Sequence, residues 1–276
     1  MVMNVKPYLL TFLLATSVVT QISCQNKYKK MSEKVVQIET SEGKIVVKLY
    51  NETPLHRDNF LKQVENKTYD GVIFHRVIKD FMIQTGDPNS KNPAAGKQYG
   101  GSGNETTIAA EFNPALIHKK GALAAARTGD EMNPERRSSP TQFYIVQGKV
   151  PAEDELAQIE EYISQAPLQG IFNNLIQKEL QKNAAAGIQV SQDTLIENAK
   201  QETLRQFAAM PKFAYSPEQR QVYKTLGGTP FLDQQYTVFG EVIEGLEVVD
   251  KIAATPTQPG DRPTADIFVN SIKVLN

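Results

Sequence analysis

Phe74-His75-Arg76-Val77-Ile78-Lys79-Asp80-Phe81-Met82-Ile83-Gln84-Thr85-Gly86-Asp87 is the stretch whose reading decides the fold. It places a guanidinium, two bulky apolar side chains and an amide within nine residues. Alternation from Phe81 onward reads as a strand, with Phe81 and Ile83 on one face and Met82 and Gln84 on the other. An Arg beside that much apolar surface needs a reason, because an unpaired charge out of water is costly. The ordinary alternative is a surface Arg flanking a core strand, and spacing alone does not separate the two.

Working outward, the flanks are rich in strands. Val36, Ile38 and Thr40 alternate with polar neighbours, Ser41-Glu42-Gly43 turns, and Ile45, Val47 and Leu49 alternate again, which makes a hairpin. Thr53 is a candidate N-cap and Pro54 a first helical residue, with Leu55, Phe60, Leu61 and Val64 on one face of a helix to about Asn66. His56 on that helix reads as solvated, His75 as structural and His118 as a hydrogen-bonding loop residue. Residues 88–107 form a Gly-rich loop, but no Lys-Ser/Thr follows and no helix opens on it, so it does not read as a phosphate cradle. Gly121 to Arg127 reads as a short small-residue strand, and Thr141 to Val146 as another. Strand spacing resumes at Thr237–Val242 and closes at Ile267–Leu275, with a short helix over Leu246–Ile252 between.

Residues 153–226 break this pattern. They are rich in Gln, Glu, Lys and Ala at helical spacing. Leu156, Ile159 and Ile163 form one stripe, and Ile171, Leu175 and Leu180 another. Ser191 and Ser216-Pro217 open later helices, and Gly227-Gly228 ends the last. Three or four amphipathic helices are therefore expected inside a strand-rich frame.

Of 276 residues, 40% are hydrophobic and 22% charged, an ordinary globular composition. The net charge of −1 and the absence of long like-charge runs exclude an electrostatic nucleic-acid binder. One Cys excludes an intramolecular disulfide, and three scattered His argue against a metal centre. Residues 1–24 carry one charge, Lys6, and a short apolar run from Tyr8 to Val19. That run fits the core of a signal peptide and is too short for a bilayer span. It ends at Gln21-Ile22-Ser23-Cys24, which looks like a lipoprotein cleavage box with Cys24 as the lipidated residue, although Gln21 stands where an aliphatic residue is usual. A cleaved leader without lipid and an uncleaved anchor are the alternatives. Each places the mature domain outside the cytoplasm, facing the periplasm. Residues 25–33 read as a tether.

Taken together, F-H-R-x-I-x-x-F-M-x-Q-x-G-D resembles the central signature of the cyclophilin family of peptidyl-prolyl isomerases. Further motifs follow in that family's order: Glu111-Phe112; His118-x-x-Gly121-x-Leu123-x-x-Ala126; Thr141-Gln142-Phe143-Tyr144-Ile145; Phe231-Leu232-Asp233; and Val238-Phe239-Gly240. The resemblance implies a mainly β fold, an eight-stranded antiparallel closed barrel capped by two helices, made of residues 34–152 and 227–276. Residues 153–226 are then an inserted helical subdomain for which the family suggests no role. It implies Arg76 as the catalytic residue. It assigns Phe81, Met82, Tyr144 and Leu232 to a proline pocket, Gln84 to the substrate amide, and Ala126 with the backbone of Arg127 to the substrate main chain. Phe231 and Tyr236 stand at the rim, where Trp and His are common. Tyr144 replaces a usual Phe, so its hydroxyl must reach water or a partner. No cofactor is implied, the partners are proline-containing polypeptides, and a monomer is favoured. A chaperone or peptide-binding module using the helical insertion is the competing function.

Overall fold

The computed structural model describes residues 32–101 and 106–276, so the leader and Cys24 lie outside the described residues. Residues 33–276 form one compact unit. Its frame is a single antiparallel sheet of nine strands: β1 (Lys34–Thr40), β2 (Gly43–Leu49), β3 (Val72–Ile73), β4 (Arg76–Ile78), β5 (Met82–Thr85), β6 (Ala122–Ala125), β7 (Phe143–Val146), β8 (Val238–Glu244) and β9 (Phe268–Val274). Their order is β3-β9-β1-β2-β8-β6-β7-β5-β4.

This is the expected mainly β architecture with two differences of detail. There are nine strands rather than eight among the described residues, because the chain just before and at the start of the central stretch supplies two very short ones, β3 and β4. The two end strands, β3 and β4, are joined by the two residues Phe74 and His75 and not by a ladder. The sheet therefore curls on itself, and its seam is crossed by the chain instead of by paired strands.

Alternation sorts the side chains as period two requires. Val36 and Ile38 of β1, Ile45, Val47 and Leu49 of β2, Ile83 of β5, and Phe143 and Ile145 of β7 all enter one buried core. Helix α1 (Pro54–Glu65) closes one end of that core through Phe60 and Val64. The Phe60 ring meets Tyr69 and Phe143 at 5.3 Å and Phe239 at 5.5 Å. The last of the helices, Leu246–Ala253, contributes Val248, Val249 and Ile252 to the same core.

Two expectations for α1 need correction. Thr53 makes no side-chain cap. The Glu111 carboxylate takes that role from a distant loop, accepting from the backbone N–H of Leu55 at 3.1 Å and of His56 at 3.0 Å. A carboxylate at a helix N-terminus also meets the positive end of the macrodipole. His56 is not solvated but 2% exposed. Its Nδ1 lies 2.7 Å from Glu111 and its Nε2 2.9 Å from Ser138. Periodicity cannot show this, because both partners lie far along the chain.

Between β7 and β8 stand four helices: α2 (Glu153–Gln165), α3 (Pro167–Ala186), α4 (Gln192–Ala208) and α5 (Pro217–Leu226). The helix that follows β8 is therefore α6. Ser191 and Ser216 cap α4 and α5 as their sequence suggests. Leu156, Ile159 and Ile163 of α2 join Tyr215, Tyr223 and the barrel loop's Ile117 in a small core of their own. The stripe expected from Ile171, Leu175 and Leu180 is not buried: α3 buries no residue, and its main packing partner is α4. The helical segment leaves and re-enters the barrel at one point. A Cβ on Gly148 would lie 2.5 Å from Gly228 Cα, so the two strands of chain can touch only as glycines. Among the described residues, no helix is long and apolar enough to cross a membrane.

Candidate active site

The site grows from strand register. Arg76 pairs with Gln84 across β4 and β5, Gln84 with Tyr144 across β5 and β7, and Tyr144 with Ala124 across β7 and β6. Directly opposed residues share a face, so these four form one row across four strands on the outside of the sheet. The next row, Val77, Ile83, Ile145 and Leu123, belongs to the barrel core. Ala122, Ala124 and Ala126 contribute almost no bulk to the outer face. A second apolar cluster forms there with Met82, Tyr144, Val146, Leu232 and Val238.

Phe81 departs from its expected face. Asp80 has φ of +60°, and β5 begins only at Met82, so the alternation stops at the turn. Phe81 packs with Met82 on the outer cluster, away from Ile83. This brings the Phe81 ring 6.0 Å from the Arg76 guanidinium carbon.

The opposite wall comes from the segment before β8. A 3-10 turn at Pro230–Leu232 presents Leu232. Tyr236 lies edge-on to Tyr144, with ring centroids 5.9 Å apart. The Arg127 guanidinium carbon sits 4.4 Å from the centre of the Tyr236 ring. Arg127 was expected to act through its backbone alone. Its side chain is also committed, donating from Nε to the Gln235 carbonyl at 2.8 Å and pairing with Asp130 at 2.6 Å.

These walls enclose a hollow of about 230 Å³. Arg76, Phe81, Met82, Gln84, Ala126, Arg127, Tyr144, Leu232 and Tyr236 all line it, so nine of the expected site residues converge. Phe231 does not. It is 44% exposed and stacks on Phe81 at 5.6 Å, supporting the rim from outside.

Arg76 Nε lies 3.3 Å from Asp261 Oδ2, with the two side chains 42% and 44% exposed. A pair that long and that wet contributes at most about 1 kcal/mol. Neither terminal nitrogen of the guanidinium has a side-chain or backbone acceptor among the described residues, so both keep donors for a ligand. Gln84 donates to Gln142 Oε1 at 3.2 Å. The Tyr144 hydroxyl finds its partner in His118 Nε2, 3.0 Å away, and burial pushes that phenol well above its ordinary range.

Three participants were not singled out from sequence. Gly100 lines the hollow with φ of +87°, and a Cβ there would lie 2.7 Å from His75 Nε2. The Gly-rich run was visible, but its use as a floor beside His75 was not. Gln142 lies inside a quoted motif and could have been found. Asp261 lies 185 residues from Arg76 and carries no local signal. Among the described residues, no group of three or more His, Cys, Asp or Glu could hold a metal ion.

The outer face of the curled sheet thus carries a hollow of mixed lining with a free-ended guanidinium at its edge. The chain belongs to the cyclophilin-type peptidyl-prolyl cis-trans isomerases: the profile "Cyclophilin type peptidyl-prolyl cis-trans isomerase/CLD" matches residues 35–166 and 170–274. It is thereby an enzyme of that class. A Staphylococcus aureus protein (strain USA300) with a provisional peptidyl-prolyl cis-trans isomerase name is 29% identical over 250 residues, 90% of this chain and 95% of that one. A Staphylococcus haemolyticus protein named likewise is 30% identical over the same coverage. A solved Cryptosporidium parvum cyclophilin-type isomerase is 20% identical, with a TM-score of 0.52, covering 88% of this chain and 98% of its own. A second structure of it, in the presence of the dipeptide Ala-Pro, is 19% identical with a TM-score of 0.51, covering 88% and 99%.

Proposed function

We propose that the chain accelerates X-Pro isomerisation in exported polypeptides, with Arg76 as the catalytic residue and the 230 Å³ hollow as the seat of the prolyl ring. The observation that carries this reading is the uncommitted end of the Arg76 guanidinium at the edge of a hollow that Phe81, Met82, Tyr144 and Leu232 line on its apolar side. The dipeptide named with the Cryptosporidium structure has the same chemistry.

Amide resonance gives the peptide bond a rotation barrier of about 18–20 kcal/mol, so uncatalysed X-Pro isomerisation takes tens of seconds or longer. At the twisted transition state that resonance is lost, and the proline nitrogen gains a lone pair. A guanidinium N–H aimed at it binds the twisted state better than either planar one. Arg suits the task because it stays protonated and presents a rigid fork. Met82, Tyr144 and Leu232 grip the ring, Phe81 and Tyr236 flank it, and Gln84 with the backbone near Ala126 and Arg127 holds the adjoining residues, so that only one side of the bond turns. One charge-assisted hydrogen bond of about 1.5–3 kcal/mol supplies one or two decades of rate. The remainder falls to the preorganised field of the site. No step needs a cofactor.

In the same reading the chain is exported by its leader and anchored through a lipid on Cys24, facing the periplasm. Arg76→Ala tests the catalytic assignment in a proline-turnover assay. The expected result is a fall in kcat/KM of about 10- to 100-fold with unchanged thermal stability. Asp261→Asn is expected to change kcat/KM by less than about fivefold, in line with an exposed pair. An unchanged rate in Arg76→Ala sinks the reading. Metabolic labelling with a fatty acid, lost in Cys24→Ser, tests the anchor.

A second reading, client holding by the inserted helices, is favoured by a groove of about 780 Å³. Ile163, Met210 and Phe213 face it from the insertion, and Phe112 and Pro134 from the barrel loops. Suppression of aggregation of an unfolded protein, retained in Arg76→Ala, would separate holding from turnover.

A further inference from the structure

Tyr144 lines the proline hollow with its ring, and its hydroxyl leads away from it into the protein. The phenolic oxygen lies 3.0 Å from His118 Nε2, and His118 Nδ1 lies 2.7 Å from Asp233 Oδ1. A carboxylate only accepts, so the proton between that pair belongs to Nδ1. In the neutral ring Nε2 is then an acceptor, and Tyr144 donates to it. Oδ1 of Asp233 also accepts from the His118 backbone N–H at 2.8 Å. Oδ2 receives the hydroxyls of Tyr215 at 2.7 Å and Tyr223 at 2.6 Å. Four donors thus fill the lone-pair positions of one carboxylate whose side chain is wholly out of solvent.

The two tyrosines on Oδ2 do not belong to the barrel. Tyr215 precedes α5, and Tyr223 is the residue α5 buries. Both pack against Leu156, Ile159 and Ile163 of α2, and their rings meet edge-on at 5.4 Å. Asp233 therefore faces the inserted helices with one oxygen. With the other it faces the hollow through His118. Burial raises the phenols of Tyr144, Tyr215 and Tyr223 far above the ordinary tyrosine range, so all three remain donors across physiological pH.

We propose that Tyr223 and Tyr215 are positioning residues for prolyl isomerisation: through Asp233 and His118 they hold Tyr144, so that docking of α2 and α5 sets how tightly the hollow grips a prolyl ring. The proposal rests on the assignment of that hollow to proline. Its physical basis is the geometry of a phenol. The ring is tethered at Cβ by the backbone and at Oη by His118, a second fixed point beyond the packing that would hold a Phe. The anchor of Oη is only as rigid as the carboxylate behind it, and half of that carboxylate's donors come from the insertion. A segment with no direct part in the chemistry thereby adjusts the affinity of the site, while Arg76, on the far side of the hollow, is left untouched.

A double-substitution cycle tests this. Tyr223→Phe and Tyr144→Phe each remove one hydroxyl and keep the ring. The two hydroxyls are separated by Asp233 and His118, so no direct contact couples them. Turnover of a succinylated Ala-Ala-Pro-Phe anilide gives kcat and KM for the native protein, each single variant and the double, with melting temperatures alongside. Tyr223→Phe is expected to raise KM at least about twofold in the native background, the lower end of coupling within one hydrogen-bond network. In the Tyr144→Phe background it should leave KM unchanged, with kcat nearly constant throughout. Equal KM ratios in the two backgrounds would overturn the proposal and leave the tyrosines a purely structural role, whatever the melting temperatures. Tyr215→Phe repeats the cycle should Tyr223→Phe not fold. Arg76→Ala in the same assay checks the isomerase reading separately. If it leaves turnover unchanged, the cycle is scored on the Kd of the same peptide by calorimetry, where the same two outcomes decide.

Discussion

Strand β6 and the last turn of helix α3 are both runs of small side chains, and they use them in opposite ways. Ala122 to Ala125 are all buried in β6. Helix α3 ends in Ala184-Ala185-Ala186 and buries nothing along its length. The difference lies in the neighbours. β6 is hydrogen-bonded between β7 and β8, with Leu123 and Ala125 in the barrel core and Ala122 and Ala124 in the outer cluster. Helix α3 has α4 beside it, which buries Leu195, Ala199 and Thr203. An alanine in a sheet with two covered faces keeps a space open. An alanine on the exposed side of a helix, as at Ala184 to Ala186, only favours the helix. The helical segment between β7 and β8 is thus itself divided: α2 and α5 share a core and a carboxylate with the barrel, and the α3–α4 pair adds to them.

The most severe way to break this contrast is at Asp233, where the docked half meets the barrel. Asp233→Ala strips four donors of their acceptor and is expected to cost about 3–5 kcal/mol, as for other broken buried charge networks. For a unit this size that lowers the melting temperature by roughly 6–20 °C. An unmoved melting temperature would put the docked half on the same loose footing as α3.

Acid sharpens the contrast by reaching the barrel first. His75 is 2% exposed, and burial pushes its pKa down to about 4. The unfolded chain takes up that proton near pH 6.5 and the folded one only near 4. Between those values the unfolded state binds more protons, so stability is full above about pH 6.5 and falls by about 3 kcal/mol toward pH 4. Urea midpoints measured over that range should lose much of their slope in His75→Phe. An equal slope in the variant would place the acid sensitivity elsewhere.

The smallest effects give the most direct test. Ala124→Leu should overpack the outer cluster at a cost of about 1–3 kcal/mol and raise KM for a proline peptide. Ala185→Leu should stay within about 0.5 kcal/mol of the native protein. Similar losses at the two positions would mean that α3 has a partner surface.

Much of this was readable along the chain, because strand and helix periods are local quantities. The β1–β2 hairpin, the caps of α4 and α5, and the convergence of Arg76, Met82, Gln84, Ala126, Tyr144, Leu232 and Tyr236 all follow from spacing or from ordered motifs. What was misread depends on partners distant in sequence or, at Phe81, on a backbone conformation that alternation does not encode. Glu111 caps α1 in place of Thr53, and Ser138 with Glu111 withdraws His56 from solvent. A single left-handed residue, Asp80, moves Phe81 to the other face. The apolar stripe of α3 stays half-buried at Ile171 and Leu175 and exposed at Leu180.

Periodicity was enough to mark short strands and a helical interruption, since each is written in residues close together, whereas the barrel and the residues around the hollow followed from the resemblance of the ordered motifs to the cyclophilin family. Which carboxylate stands beside Arg76, and how the interruption reaches Tyr144, emerged only on folding. Asp261 and Asp233 acquire their partners across long stretches of chain, and a hydrogen bond depends on a distance in space that no spacing in sequence encodes.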